Sequence, residues 1–206
     1  MNDGNGNFGS AQNISSDKNK THRILLGDVD NDGDLDAIAL NSTDYTAGNI
    51  FDDKLYKNDG NGNFSAGITL TTETKYSSGI GEFGDIDNDG DLDLVVTSEW
   101  DTIQYYLNNG NGNFGNAYTK RLPHHCYSFA LGDMNGDGYL DLIVGKSDGG
   151  VNPTLDFLYL NNGKGIFGPP FYLNTDHKNN PFSIAVGDVD RDGDMDMVFG
   201  NHQDSE

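Results

Sequence analysis

The chain has 206 residues, of which 33 are acidic and 12 basic, giving a formal net charge of −21. That charge repels phosphate and argues against nucleic acid as a partner; no apolar run approaches the roughly 20 residues of a membrane span, and the single cysteine, Cys126, excludes an internal disulfide. Leu, Ile, Val and Phe number only 47, while 29 of the 33 acidic residues are Asp, accompanied by 28 Gly and 25 Asn. So little apolar mass at this charge lies close to the composition of disordered chains, so something besides burial must hold the fold. Asp in place of Glu favours turns and hard-cation sites over helices.

Two motifs alternate along the chain. A D-type strand is expected at Gln12 to Ser15, after a first turn of the form N-x-G-x-G-x-F at Asn2 to Phe8. An A strand (Ile24 to Leu26) then leads into an Asp-rich loop, Gly27-Asp28-Val29-Asp30-Asn31-Asp32-Gly33-Asp34-Leu35-Asp36. A B strand leaves it at Leu35 to Leu40, a C strand follows at Lys54 to Lys57, the turn motif returns at Asn58 to Phe64, and a D strand follows at Ile68 to Thr71. The second unit repeats this with its Asp loop at Asp85 to Asp93, B at Leu92 to Thr97, C at Ile103 to Leu107, turn at Asn108 to Phe114 and D at Ala117 to Lys120. The third has A at Phe129 to Leu131, loop at Asp133 to Asp141, B at Leu140 to Gly145, C at Phe157 to Leu160, turn at Asn161 to Phe167 and D at Phe171 to Leu173. A fourth begins with A at Ile184 to Val186, loop at Asp188 to Asp196 and B at Met195 to Gly200. These runs are strand-length, β-branched or aromatic, and bounded by turn residues, and none carries a helical period. The reading is all-β: a single β-propeller domain or propeller fragment over 1–206, built of four-stranded antiparallel blades. Its repeats run approximately 1–20 (partial), 21–75, 76–122, 123–175 and 176–206 (partial). Fifteen strands are one short of four blades, the fourth C strand being the missing one. That predicts an open arc belonging to a larger propeller or association with another copy, because open edges recruit strands.

The Asp loops carry the chemistry. Carboxylates at loop positions 1, 3, 5 and 9 with Gly at 6 converge several oxygens on one point, which suits Ca²⁺ with its six to eight oxygen ligands at about 2.3–2.6 Å. The expected ligands are Asp28, Asp30, Asp32 and Asp36 with the carbonyl of Asp34; Asp85, Asp87, Asp89 and Asp93 with that of Asp91; Asp133, Asn135, Asp137 and Asp141 with that of Tyr139; and Asp188, Asp190, Asp192 and Asp196 with that of Asp194. Four Ca²⁺ ions are therefore expected. An EF-hand would need Glu at position 12, where Ala39, Val96, Val144 and Phe199 stand. The glycines of the second motif suit a tight C–D connection, with Phe8, Phe64, Phe114 and Phe167 packing between blades.

With its G-D-x-[DN]-x-D-G-x-x-D loops and following strands, the chain resembles FG-GAP/VCBS-type repeat proteins, known from integrin α-subunit propellers and many bacterial surface and secreted proteins. The resemblance implies an integrin-like β-propeller with Ca²⁺ held in the A–B hairpins. It points to an extracellular, cell-surface or periplasmic place, where calcium is plentiful enough for weak sites.

Outside the loops, Tyr45, Glu99, Trp100 and Asp101 combine aromatic and carboxylate groups on B–C connections, a pairing suited to sugars. They predict a glycan or protein ligand on the face opposite the calcium loops, where the longer, more varied connections lie. Glu82 replaces an apolar A-strand residue and is expected either to face the central channel or to pair with a cation. Cys126 reads as a buried small residue, and His124-His125 as solvated loop histidines. No G-x-S-x-G elbow, H-E-x-x-H or Walker loop is present. The function expected is a non-enzymatic adhesion or recognition module, lectin-like forms included. The second reading is a propeller domain of a secreted carbohydrate-active enzyme, or that enzyme itself, with Glu82, Glu99 and Asp101 as its candidate carboxylates.

Overall fold

The computed structural model describes residues 4–42, 51–70, 78–98, 101–123, 125–147, 154–177 and 180–202. Short apolar runs broken by Gly, Asn and Asp form strands, and the described residues contain no helix. The first blade is β1 (Thr21–Gly27), β2 (Asp36–Asn41), β3 (Lys54–Tyr56) and β4 (Ile68–Thr69). The second is β5 (Ser78–Gly84), β6 (Asp93–Ser98), β7 (Thr102–Tyr106) and β8 (Tyr118–Arg121). The third is β9 (His125–Gly132), β10 (Asp141–Ser147), β11 (Thr154–Asn161) and β12 (Phe167–His177), and the fourth has β13 (Asn180–Gly187) and β14 (Asp196–His202). Each blade is an antiparallel meander in sequence order, the topology expected of propeller blades.

The A strands β1, β5, β9 and β13 lie side by side in that order and wall one axial cavity of about 600 Å³. The two larger core clusters lie between neighbouring blades. Strand β2 is buried at every residue. Its alternation sends Ile38 and Leu40 toward Leu94, Val96 and Tyr106 of the second blade, and Ala37 and Ala39 toward Tyr56 and Phe64 on the other face. Val95 faces the opposite way from Leu94 and Val96, joining Leu142, Val144, Phe157 and Phe167 of the third blade. Phe167 meets Tyr105 edge-on at 5.4 Å between ring centroids, a direct aromatic contact between blades two and three.

Three expectations need correction. Residues Gln12 to Ser15 form no strand. A D strand exists by pairing with the C strand of its own blade, and the partial repeat 1–20 supplies a turn and a D segment but no C strand. Phe8 is exposed instead of packed between blades, whereas Phe114 and Phe167 take up the expected inter-blade positions. The third A strand also starts earlier than the sequence suggested, at His125, which shortens the connection from β8.

Candidate metal centres

Each A–B connection is folded by its own side chains. The position-1 carboxylate caps the loop from inside: Asp28 accepts the N–H groups of Asp32 and Gly33 at 3.1 and 3.0 Å. Asp85, Asp133 and Asp188 repeat this on Asp89 and Gly90, Asp137 and Gly138, and Asp192 and Gly193. Position 5 makes a local turn: Asp32 accepts from the N–H of Asp34 at 3.0 Å, and Asp89, Asp137 and Asp192 do the same two residues on. The chain reverses through two left-handed residues, position 4 (Asn31, Asn88, Gly136 and Arg191) and position 6 (Gly33, Gly90, Gly138 and Gly193). That is the physical reason for glycine at position 6, where φ lies between 89° and 100°.

Position 9 does more than its spacing revealed. Asp93 is fully buried and accepts the N–H of Ile86 at 2.9 Å with one oxygen and that of Asn108 at 2.8 Å with the other. It thereby clips the Asp loop to the C–D turn of the same blade. Asp36 bridges Val29 and Asn58 in the same way, and Asp141 bridges Met134 and Asn161. Burial pushes the Asp93 carboxyl up to about 6, with the charges of Asp87 and Asp89 adding to it and the two N–H donors opposing. Burial likewise raises Asp36 and Asp141.

Carboxylate oxygens converge in three of the four loops. Asp28, Asp30 and Asp32, then Asp85, Asp87 and Asp93, and then Asp188, Asp190 and Asp196 each place one oxygen within 4.8 Å of the others. In the first two loops a position-3 oxygen, Asp30 Oδ1 and Asp87 Oδ1, is buried with no hydrogen-bond donor. Burial raises the Asp87 carboxyl, helped by the charges of Asp89 and Asp85. An all-oxygen donor set with a buried oxygen lacking a donor fits a hard divalent cation. The third loop forms no such acidic triad among the described residues. There the Asn135 Nδ2 donates to Asp137 Oδ2 at 2.8 Å. The side chains of Asp34, Asp91 and Tyr139 lie over Gly60, Gly110 and Gly163, the turn glycines of their own blades.

Contacts between blades converge on these loops. Asn108 donates to the Val29 carbonyl at 2.7 Å. Asn31 donates to Asp91 at 2.7 Å. Val29 and Ile86, each at position 2, are 1% exposed under the following blade's turn, whereas the corresponding Val189 is 67% exposed. From the sequence, Asn108 reads only as the start of a turn and Asn31 only as a residue inside an Asp loop. The recurrence of Asn at the first position of the turn motif was the available signal.

A family model of the FG-GAP-like repeat matches residues 41–96, 85–144 and 133–199. The chain belongs to the FG-GAP-like repeat family. The matches span each Asp loop from the second to the fourth, and the first falls before them. No curated protein matches this FG-GAP-repeat chain.

Tyr45, Glu99, Trp100 and His124 lie outside the described residues. Asp101 pairs with Arg121 at 3.1 Å and accepts from the Thr102 hydroxyl. Glu82 lines the axial cavity with Arg23 from β1, accepts the N–H of Leu131 at 3.2 Å, and is raised by burial against the opposing effects of that N–H and of Arg23. It thus lines the cavity between the A strands, and among the described residues it forms no ion pair with Arg23. Cys126 is buried, its thiol pushed up to about 12 by desolvation and donating to the Ser128 carbonyl.

Proposed function

We propose that this FG-GAP-repeat β-propeller module binds calcium through its Asp loops and uses the resulting rigid scaffold for recognition outside the cytosol. The observation that carries the calcium reading is the buried, donor-free oxygen of Asp30 and of Asp87, each within a convergent carboxylate group. An oxygen in that position loses its water without gaining a proton donor, and a cation supplies the missing partner. Ca²⁺ suits the set better than Mg²⁺, which prefers few carboxylates and several waters. Four ions would lower the net charge from −21 to −13. Carboxylates committed to cations make poor general acids, which favours a non-catalytic module.

Thermal melting with calcium and with chelator tests the reading. At about 2 mM Ca²⁺ and a Kd near 0.1 mM, each site adds about 1.8 kcal/mol by linkage. An unchanged midpoint rules the calcium role out. The recognition surface we assign to the face opposite the Asp loops, with a glycan or protein as its ligand. Support comes from its loop lengths and from the aromatic and acidic residues that the sequence places there. A glycan array probed with and without calcium tests it, and binding accompanied by turnover would favour the enzyme reading.

A further inference from the structure

The four Asp loops do not have equivalent neighbours. In the first, the Lys57 ammonium lies 3.0 Å from Asp30 Oδ2, the carboxylate whose other oxygen is buried without a donor. Lys57 stands immediately before the turn motif, and the same position holds Leu107 in the second blade and Leu160 in the third. It also donates to the Asn111 carbonyl of the second blade at 2.6 Å. A Cβ on Gly112 would come within 2.8 Å of the Lys57 stem, and one on Gly165 within 3.2 Å of Leu107. Lys57 and Leu107 therefore occupy the same seat, each under the second turn glycine of the following blade. One seat is filled by an apolar side chain and the other by a cation touching a carboxylate.

We propose that Lys57 is a resident cation that competes with Ca²⁺ for Asp30 and makes the first loop a weaker calcium site than the second. The inference rests on the calcium reading above. An ion entering the first loop must take Asp30 from the ammonium or sit beside its positive charge. The second loop, with Leu107 in that place, meets neither cost. Because Lys57 also holds Asn111, filling the first loop acts against one tie between the first and second blades. By reciprocity, that tie acts against filling the loop.

The experiment is a CaCl₂ titration of the whole chain followed by nuclear magnetic resonance of four backbone amides. Gly33, Gly90, Gly138 and Gly193 stand at position 6 of their loops, so each reports its own site. In the natural sequence, the Gly33 curve should lie at higher calcium than the Gly90 curve. Lys57→Leu, the residue the next blade already carries in this seat, should move the Gly33 midpoint about tenfold lower and leave that of Gly90 in place. Lys57→Met, which keeps a long unbranched stem without the charge, should do the same. The reciprocal Leu107→Lys should move Gly90 to higher calcium. A Gly33 midpoint that stays in place or rises in both Lys57 variants overturns the inference while leaving the calcium reading standing. Four amides that ignore calcium up to millimolar concentration overturn the calcium reading, and the inference with it.

Discussion

The side-chain amide of Asn161 donates to the carbonyl oxygen of Ile86 at 2.7 Å, across the boundary between the second and third blades. The same amide donates to the Leu140 carbonyl of its own blade at 3.0 Å, so one residue satisfies two carbonyls and joins two Asp loops. Asn108 makes the corresponding pair of bonds to Val29 and Leu92. The turn motif is thus a connector as well as a chain reversal. We expect Asn161→Ala to cost about 1–3 kcal/mol through the two side-chain bonds it loses, the Ile86 carbonyl keeping the N–H of Gly165 at 2.9 Å. Asn161→Asp, which cannot donate, should be no better. Urea unfolding measures both, and a loss within about 0.5 kcal/mol for the alanine variant would show that the bond is dispensable.

On the calcium reading, the third Asp loop should bind the ion more weakly than the second. Asn135 lowers its formal ligand charge to −3, against −4 for a loop with four Asp. Its amide also donates to Asp137, occupying a carboxylate oxygen that a cation would share. Asn135→Asp should tighten the site, read by calorimetry or by the Gly138 amide. A weaker site in that variant would mean that geometry outweighs charge.

Arg191 carries φ of 67° in the fourth loop, where Asn31 and Asn88 have 58° and 62° and Gly136 has 72°. Left-handed backbone is costly for a long side chain and tolerated by Asn, whose short polar group bonds locally. We expect Arg191→Asn to raise stability by about 0.5–1 kcal/mol. The thermal midpoint checks this, and a fall would indicate that the Arg side chain contributes more than its backbone conformation costs.

Acid should act oppositely on the stripped and the loaded protein. The Asp93 carboxyl titrates at about 6 in the fold, above its ordinary value of 3.8, chiefly through burial. A carboxyl raised on folding binds its proton more tightly when folded. Its contribution is therefore present below about pH 4 and is lost as pH rises through about 6. Asp36 and Asp141 are raised for the same first cause. With chelator, stability should increase as pH falls from about 7 to about 5. With saturating calcium, the cation favours the ionised forms and the slope should reverse. Urea unfolding across this range measures both slopes. Asp93→Asn should remove the part of the chelator slope that lies between about pH 4 and about 6, and an unaltered slope would assign the effect elsewhere.

The alternation of Asp loop and Asn-Gly turn made the strand order and the acidic A–B loops legible from the sequence, because both depend on short-range spacing. Position 6 could be read from chain reversal alone. Position 9 was legible only as a carboxylate. Its bridging of two N–H groups depends on the return of the C strand about 15 to 22 residues later. Lys57 gave no signal as a neighbour of Asp30, since the 26 residues between them say nothing of distance. Only the folded blade brings the ammonium to the carboxylate. The strand expected at Gln12 to Ser15 failed for the complementary reason: a strand is a relation between two segments, and local β-propensity cannot supply the partner.

The exposure of Val189, against the near-complete burial of Val29 and Ile86, has a mechanical consequence. The first two Asp loops each lie clamped beneath the turn that follows them, whereas the fourth sits on a two-stranded sheet with Val198 also 55% exposed. Under tension applied to the ends of the chain, the β13–β14 hairpin should peel away first and at low force, while the blades behind it yield later as interlocked units. In hydrogen exchange the same hierarchy would appear at rest, with the amides of Met197 to Gly200 labelling well before those of Leu94 to Val96.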